Sequence, residues 1–300
     1  MLTNILGLFC IIDDLSIEFD RVVAENAIEQ GQKKRRNRKS RLSDSEVMTI
    51  LILFHQSRYQ DLKSFYLKYV QVHLKSEFPK TVSYNRFVEL QSKVGLKPTM
   101  FLNMCCLGKC TGVSFIDSTP LRACHIKRER SHKTMKGWAQ KGRSTMGWFY
   151  GFKLHLVIND KAEIITYQIT PGNTDDRAPL KDDSFTKKLF GKLIGDRGYI
   201  SKSLFDKLFV DDIHLITKLK KNMKNSLMHI HDKILLRKRA IIETVNDLLK
   251  NVCQIEHTRH RSVNNFITNL IAGLLAYNLM PKKPSLNLEI IDNKAISAVA

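Results

Sequence analysis

The spacing of apolar residues changes from helical to strand-like near residue 110. Before that point, apolar side chains recur every three or four residues, a pattern typical of helices. The stretch Ser43-Asp-Ser-Glu46 is a capping-box pattern, which marks the start of one of these helices. We therefore predict an all-α region over residues 1–108, with helices over 1–30, 47–54, 62–69 and 81–90.

After residue 110 the chain carries short β-branched and aromatic runs that are typical of strands. Pro120 is expected to end the first of them. Residues 159–162 separate the second run from the third and predict a hairpin. The predicted strands are 113–119, 151–158, 163–169, 192–196 and 213–217, and the predicted helices are 180–190, 201–209, 232–252 and 263–277.

Three adjacent strands followed by alternating helices and strands predict an α/β fold, in which helices flank a mixed sheet. This is the element order of the ribonuclease H-like fold. We place this domain at residues 109–280 and expect a loose C-terminal tail over 281–300. Residues 125–147 are rich in Lys, Arg and Gly, and they are predicted to form a mobile polar loop that faces an anion.

The charge of the chain points to the kind of partner it binds. The formal net charge is +20, with 49 Lys+Arg against 29 Asp+Glu, which indicates a polyanionic partner. Nucleic acid is favoured over a membrane, because no stretch approaches the ~18–20 apolar residues of a spanning helix. The apolar run Ile5–Ile12 is short and follows no basic segment, so we expect no signal peptide. The six cysteines match no common zinc spacing and indicate a reducing compartment.

Two N-terminal segments are candidate DNA-binding elements. Residues 33–41 form a dense basic run, which is either a solvated linker or, as we expect, an arm that contacts phosphates. Residues 80–93 follow a helix and a turn and carry Arg86 near the start of a helix, the shape of a possible helix-turn-helix. A small helical bundle would show the same spacing. The basic residues of the arm are Lys33, Lys34, Arg35, Arg36, Arg38, Lys39 and Arg41.

Three acidic residues stand out by their placement. Asp117 lies inside a predicted buried strand, where an ionised carboxylate must meet a cation or a metal ion. Asp196 follows the apolar end of a later strand, at the sheet edge where ligand sites collect. Glu243 lies on the late helix and shares one face with Arg239 and Lys250. For Glu243 the alternative is an ordinary exposed Arg–Glu pair, which contributes about 0.3–0.5 kcal/mol.

The order of these motifs resembles the catalytic core of bacterial insertion-sequence transposases of the DDE class, over roughly residues 110–280. Many relatives carry tyrosine three residues before the arginine, where this chain has Leu236. The matching motifs are Asp117 in Ile-Asp-Ser-Thr, Asp196 in Gly-Asp-Arg-Gly-Tyr, and Arg239-x3-Glu243-x6-Lys250.

The resemblance implies a metal-dependent enzyme that cuts DNA strands at the ends of its element and transfers them into target DNA. Asp117, Asp196 and Glu243 are implied to be catalytic and to bind two Mg²⁺ ions, for which Mn²⁺ can substitute. Arg239 and Lys250 are implied to contact DNA phosphates beside the scissile bond.

The basic loop is expected to cover the DNA through Lys136, Lys141 and Arg143. Either Trp138 or Trp148 is a candidate for stacking on a distorted base, and anchoring of the core is the alternative for both.

The implied partners are double-stranded DNA with terminal inverted repeats, target DNA and a second copy of the chain, as a homodimer on DNA in the bacterial cytoplasm and nucleoid. No membrane is involved. Two other functions stay open from the residues alone. One is a ribonuclease H-like nuclease or resolvase without strand transfer, and the other is a DNA-binding protein without enzymatic activity.

Overall fold

Helices make up the N-terminal part of the chain. The structure, a computed structural model, describes residues 4–29, 40–218, 228–256, 260 and 262–286. Its first six α-helices are α1 Ile5–Glu29, α2 Asp44–Gln56, α3 Leu62–Ser64, α4 Gln71–His73, α5 Tyr84–Val94 and α6 Leu96–Phe101. A π-helical segment, Phe65–Val70, joins α3 to α4, and another, Leu102–Cys106, follows α6. The predicted helical region is confirmed, and no strand precedes Val113 within the described ranges.

Side-chain caps set the starts of the two helices that the sequence singled out. Ser43 Oγ accepts a hydrogen bond from Glu46 N at 3.1 Å, and Glu46 Oε2 accepts one from Ser43 N at 2.6 Å. The predicted capping box of α2 is therefore confirmed. Ser83 caps α5 in the same way, with its Oγ accepting from Arg86 N at 3.4 Å.

A six-stranded mixed sheet follows the helical region. Strand β3 lies antiparallel to β1, β2 and β4, whereas β1, β5 and β6 run parallel to one another. Three antiparallel strands continued by two parallel ones confirm the predicted ribonuclease H-like sheet, to which β2 adds a short hairpin. The strands are β1 Val113–Cys124, β2 Gln140–Ser144, β3 Gly147–Asn159, β4 Ile164–Pro171, β5 Gly191–Gly195 and β6 Ile213–Thr217.

The remaining helices flank the sheet and are more broken than the sequence suggests. The predicted helix over 180–190 is wrong in length, because a 3-10 turn at Pro179–Lys181 and a cap at Asp182 leave only four residues of α-helix. The predicted helix over 232–252 is interrupted at Arg239, between Ile230–Lys238 and Ala240–Asp247. The α-helices are α7 Asp183–Thr186, α8 Lys202–Val210, α9 Ile230–Lys238, α10 Ala240–Asp247 and α11 Val263–Asn278; a π-helical segment, Leu248–Val252, continues α10.

Strand β1 continues through Pro120, so the prediction that this proline ends the strand is wrong. The parallel pairing of β1 with β5 stops at Phe115, and from there β1 has a strand neighbour on one side only. A residue without an N–H is tolerated on a strand edge that carries no ladder. The antiparallel pairing with β3 then continues to Cys124.

The basic segment 125–147 is also more ordered than a polar loop. It contains a 3-10 helix at Ile126–Ser131 and the strand β2, which pairs with β3. Gly142 makes this pairing possible, because a Cβ at this position would lie 2.0 Å from the carbonyl oxygen of Gly172. The structured hairpin corrects the expectation of a mobile loop.

One hydrophobic core connects the N-terminal helices with one face of the sheet. Helix α11 packs against α2, α5 and α6, and the His55 Nδ1–H donates to the carbonyl oxygen of Cys253. The division of the chain at residue 108 stays a prediction. In the tail, Lys283 Nζ donates to the Asn278 carbonyl at 2.7 Å, and residues 287–300 lie outside the described part of the chain. Within the described residues, no helix is long and apolar enough to cross a membrane.

We predict that protonation of His55 destabilises the fold. Burial lowers the pKa of His55 from 6.5 to about 4. Between these values the unfolded chain binds a proton that the folded chain does not, so stability is lost as pH falls. Relative to His55→Asn, the free energy of unfolding should drop by about 3 kcal/mol between pH 7 and pH 4. Urea unfolding at several pH values measures this, and parallel pH curves for the two proteins would contradict it.

Candidate active site

The parallel register of β1 and β5 brings two of the predicted acids side by side. The last paired residues are Phe115 and Ile194, and Asp117 and Asp196 each lie two positions further along. Because both strands run in the same direction, the two carboxylates project from neighbouring positions at the carboxyl edge of β5. Asp196 is exposed, and its Oδ1 accepts a hydrogen bond from Gly198 N at 2.8 Å.

Helix α10 brings the third acid to the same edge. It packs against β1, and Asn246 Nδ2 donates to Asp117 Oδ2 at 2.9 Å. Glu243 lies one turn before Asn246 on an exposed part of α10. Its Oε1 accepts a hydrogen bond from Arg239 Nη2, and Arg239 Nη1 lies 3.9 Å from Asp117 Oδ1. Arg239 therefore sits between two of the three carboxylates.

The surroundings of Asp117 raise its pKa. Its side chain is 23% exposed. Its pKa is about 6, mainly because burial disfavours the charged form; the Arg239 guanidinium and the Ser118 backbone lower the pKa, and the charges of Asp196 and Glu243 raise it. Because the net effect disfavours the charged form, this carboxylate gains from any additional cation.

These donors fit a hard divalent cation by their chemistry. Mg²⁺ prefers carboxylate and carbonyl oxygens, which Asp117, Asp196 and Glu243 supply. Asn246 Oδ1 is buried next to Asp117 and has no partner among the described residues. As the side chains stand, however, no three His, Cys, Asp or Glu residues in the described ranges form a ligand group. Arg239 holds Glu243 by an ion pair and would compete with a metal ion for it.

Lys250, predicted to contact phosphate, is engaged inside the protein. Its Nζ donates to the Pro120 carbonyl oxygen at 2.8 Å and lies 3.2 Å from Glu256 Oε2. Glu256 Oε1 in turn accepts from Arg122 N at 3.2 Å. These two side chains bind backbone groups of β1 beyond Phe115, where the parallel strand is missing.

A separate polar network lies on the other face of β1. Ser118 Oγ donates to Asp176 Oδ1 at 2.7 Å, and Lys153 Nζ donates to the same oxygen at 2.8 Å. Asp175 is paired with Arg177 at 2.6 Å. Both acids of this turn thus have protein partners, and neither belongs to the group around Asp117.

The predicted DNA-binding residues are distributed over several surfaces. Arg86 is exposed on α5 and pairs with Glu89 at 2.5 Å. Lys141 and Arg143 lie on β2 beside the ring of Trp148. Arg41 and Lys136 are exposed, and Lys33, Lys34, Arg35, Arg36, Arg38 and Lys39 lie outside the described residues.

Sequence reasoning missed Asn246 and Glu256. Asn246 follows Glu243 by three residues and so shares its helix face, which is a signal that a closer inspection of the helix would have used. Glu256 follows the end of the helical segment and has no comparable signal in the sequence.

We predict that Lys250→Met lowers the free energy of unfolding by about 1.5–3 kcal/mol, because it removes a charged donor from the Pro120 carbonyl. Glu256→Gln keeps an acceptor for Arg122 N and should cost less. Urea unfolding at pH 7 compares the two variants. Unchanged stability of Lys250→Met would show that this side chain does not support β1.

Comparisons with known proteins bear directly on this site. A family model described as "Transposase DDE domain" matches residues 107–263, more than half of the chain. No curated protein matches significantly. Among solved structures, the piggyBac transposase synaptic complex with hairpin DNA is 12% identical, with a TM-score of 0.45 over 84% of this chain and 68% of the other. The Mos1 strand transfer complex is 12% identical, with a TM-score of 0.23 over 70% and 75%.

Both TM-scores lie below 0.5, and these two similarities carry no further conclusion. The family match has more weight, since it contains the whole sheet and also Asp117, Asp196 and Glu243. It agrees with the resemblance that the three acidic motifs indicate. The chain belongs to the family of DDE transposases, enzymes that bind DNA and cut and rejoin its strands.

Proposed function

We propose that Asp117, Asp196 and Glu243 are the catalytic residues of this transposase. The observation that supports the proposal is their approach at one sheet edge, from two parallel strands and the helix α10 that packs on them. The charges of Asp196 and Glu243 both raise the pKa of Asp117, which agrees with a shared site.

Members of the family generally use divalent metal ions, and we propose two Mg²⁺ ions, with Mn²⁺ as a substitute. Asp117, Asp196 and Glu243 would hold such ions, which would supply activation of water or a 3′-hydroxyl and charge stabilisation of the leaving oxygen in a phosphodiester displacement. The protein's own contribution is orientation and charge balance. Asn246 holds Asp117 by a hydrogen bond of 2.9 Å, and Arg239 neutralises Asp117 and Glu243 until a divalent cation takes its place.

We further propose that the substrate is double-stranded DNA with terminal inverted repeats, which is cut and then joined to target DNA. The net charge of +20 supports long contacts with phosphates. Residues 1–108 would bind the element ends, through the arm 33–41 and α5, and residues 109–280 would carry out the chemistry. Because two ends must be joined in one event, a homodimer on DNA is the expected assembly.

The proposed catalytic set predicts loss of cleavage without loss of the fold. Asp117→Asn, Asp196→Asn and Glu243→Gln should each reduce Mg²⁺-dependent nicking of repeat-bearing DNA at least about 100-fold, since each removes a charged metal ligand. Circular dichroism and a mobility-shift assay in EDTA should show intact folding and DNA binding.

The matched control is Asp183→Asn. Asp183 is exposed and pairs with Lys207 at 2.6 Å, so its replacement should leave nicking unchanged. Equal nicking by all four variants would refute the catalytic assignment. If the protein cuts DNA but forms no joined products with a plasmid target, it is a nuclease and the proposed strand transfer is wrong.

Replacement of Arg239 is predicted to strengthen metal binding, whereas replacement of the three acids is predicted to abolish metal-dependent cleavage. Replacing it in Arg239→Gln removes a positive charge that lies 3.9 Å from Asp117 and frees Glu243, so Mn²⁺ should bind about 10-fold more tightly in calorimetric titrations without DNA. Lys238→Gln, which removes an exposed neighbouring charge, should change this affinity little. An unchanged or weaker affinity in Arg239→Gln would contradict competition between the guanidinium and the metal.

A further inference from the structure

The outer edge of strand β6 is bare. The strand pairs with β5 on one side, and no strand of the described residues pairs with its other side. Its five residues, Ile213–Thr217, include no lysine, no acidic residue and no proline, which are the residues that protect many exposed strand edges. An edge of this kind is open to pairing with a strand of another chain.

Helix α8 exposes two aromatic rings beside this edge. The helix packs on the sheet through Leu204 and Leu208, which are buried. Phe205 and Phe209, by contrast, are 44% and 55% exposed, and their rings stack with centroids 6.2 Å apart. The Phe209 ring also contacts the His214 ring of β6 at 5.1 Å. Contiguous exposed apolar groups of this kind mark protein interfaces.

Helix α9 exposes apolar side chains on the opposite face of the sheet. It contacts β5 and β6, and its Leu235 and Leu236 belong to the core that includes the N-terminal helices, not to the cluster under α8. Ile230 and Ile234 of α9 are exposed. Specific dimers bury ~1,200–2,000 Å² in total, so contacts beyond a short strand are needed. The exposed side chains of α8 and α9 extend the bare edge on both faces.

The charge of this region fits a second copy of the chain better than DNA. Residues 201–217 carry two lysines and three aspartates, in a chain with a net charge of +20. Contacts with phosphates need a positive surface, which this segment does not supply. Two copies of so basic a chain repel each other, and the repulsion is smallest where the local charge is near zero. Lys202 at the start of α8 and Asp212 beyond its end also lie opposite one another when two such helices run antiparallel.

We propose that two copies of the chain associate in the absence of DNA by pairing β6 with β6. A two-fold axis perpendicular to the sheet makes the two strands antiparallel. It also brings the two copies of α8 together on one face and the two copies of α9 on the other. Phe205 of one copy then contacts Phe209 of the other. Because this contact forms without DNA, the proposal goes beyond the homodimer on DNA described above.

Sedimentation equilibrium of the full-length protein tests this association. Nuclease-treated protein is measured without DNA in about 0.5 M NaCl, which weakens contacts made through residual nucleic acid. The parent protein should be dimeric at about 10 µM, and Phe209→Glu should raise the dissociation constant at least about 30-fold, because it places a charge in an apolar contact. The matched control is Ile17→Glu on α1, an equally exposed apolar position, which should change the constant less than about 2-fold. Circular dichroism should be unchanged in both variants.

A mixture of two variants tests the two-fold geometry. Phe205→Lys and Phe209→Glu each lose both contacts between Phe205 and Phe209 in their own dimers. In a mixed dimer one of these contacts stays apolar and the other becomes an ion pair. Native mass spectrometry of an equimolar mixture, with a short tag on one variant to separate the masses, should therefore show an excess of mixed dimers.

Several results would overturn the proposal: a parent protein that stays monomeric up to about 50 µM, a dimer that Phe209→Glu leaves intact, equal weakening by Ile17→Glu, or no excess of mixed dimers. Dimers that form only on DNA would also overturn it and would leave the proposed function standing. Loss of cleavage of repeat-bearing DNA would refute the proposed function without affecting these measurements, since they contain neither DNA nor metal ions.

Discussion

Beyond Phe115, strand β1 is still paired with β3 on one side but no longer with β5 on the other, where side chains contact it instead. Much of the site depends on this missing strand neighbour. Backbone groups on a bare strand edge need partners. Here Lys250 binds the Pro120 carbonyl and Glu256 binds the Arg122 amide, so an ion pair from the end of the α10 segment takes the place of the missing ladder. Asp117 lies at the point where this replacement begins.

The electrostatic character of Asp117 follows from its burial and from the charges around it. Asp117 is mostly buried, close to two other carboxylates and opposed by a single nearby guanidinium. Its pKa is raised mainly because burial disfavours the charged form. Arg239 opposes this effect in part while also holding Glu243. A divalent ion at this edge would favour the ionised form of Asp117, which agrees with a family that generally uses divalent metal ions.

Consecutive residues of β1 serve different networks, because successive side chains of a strand point to opposite faces. Asp117 points to the face that α10 covers, and Ser118 points to the face where Asp176 and Lys153 lie. The second network is continuous with an open pocket that Trp148 also lines.

The sequence by itself determined the order of elements, the mixed sheet, the capping box of α2 and the three acidic motifs, since each follows from local spacing or from neighbouring residues. The features that depend on contacts between distant segments were decided only by the tertiary structure. The register of β1 on β5 placed Asp117 beside Asp196, and the missing strand neighbour allowed Pro120 inside β1. Lys250 was expected to contact a phosphate because its motif resembles that of the family, but its nearest acceptor is a carbonyl 130 residues away in the chain. Such long-range partners leave no periodic signal in the sequence, because they depend on how the folded helices and strands pack against one another.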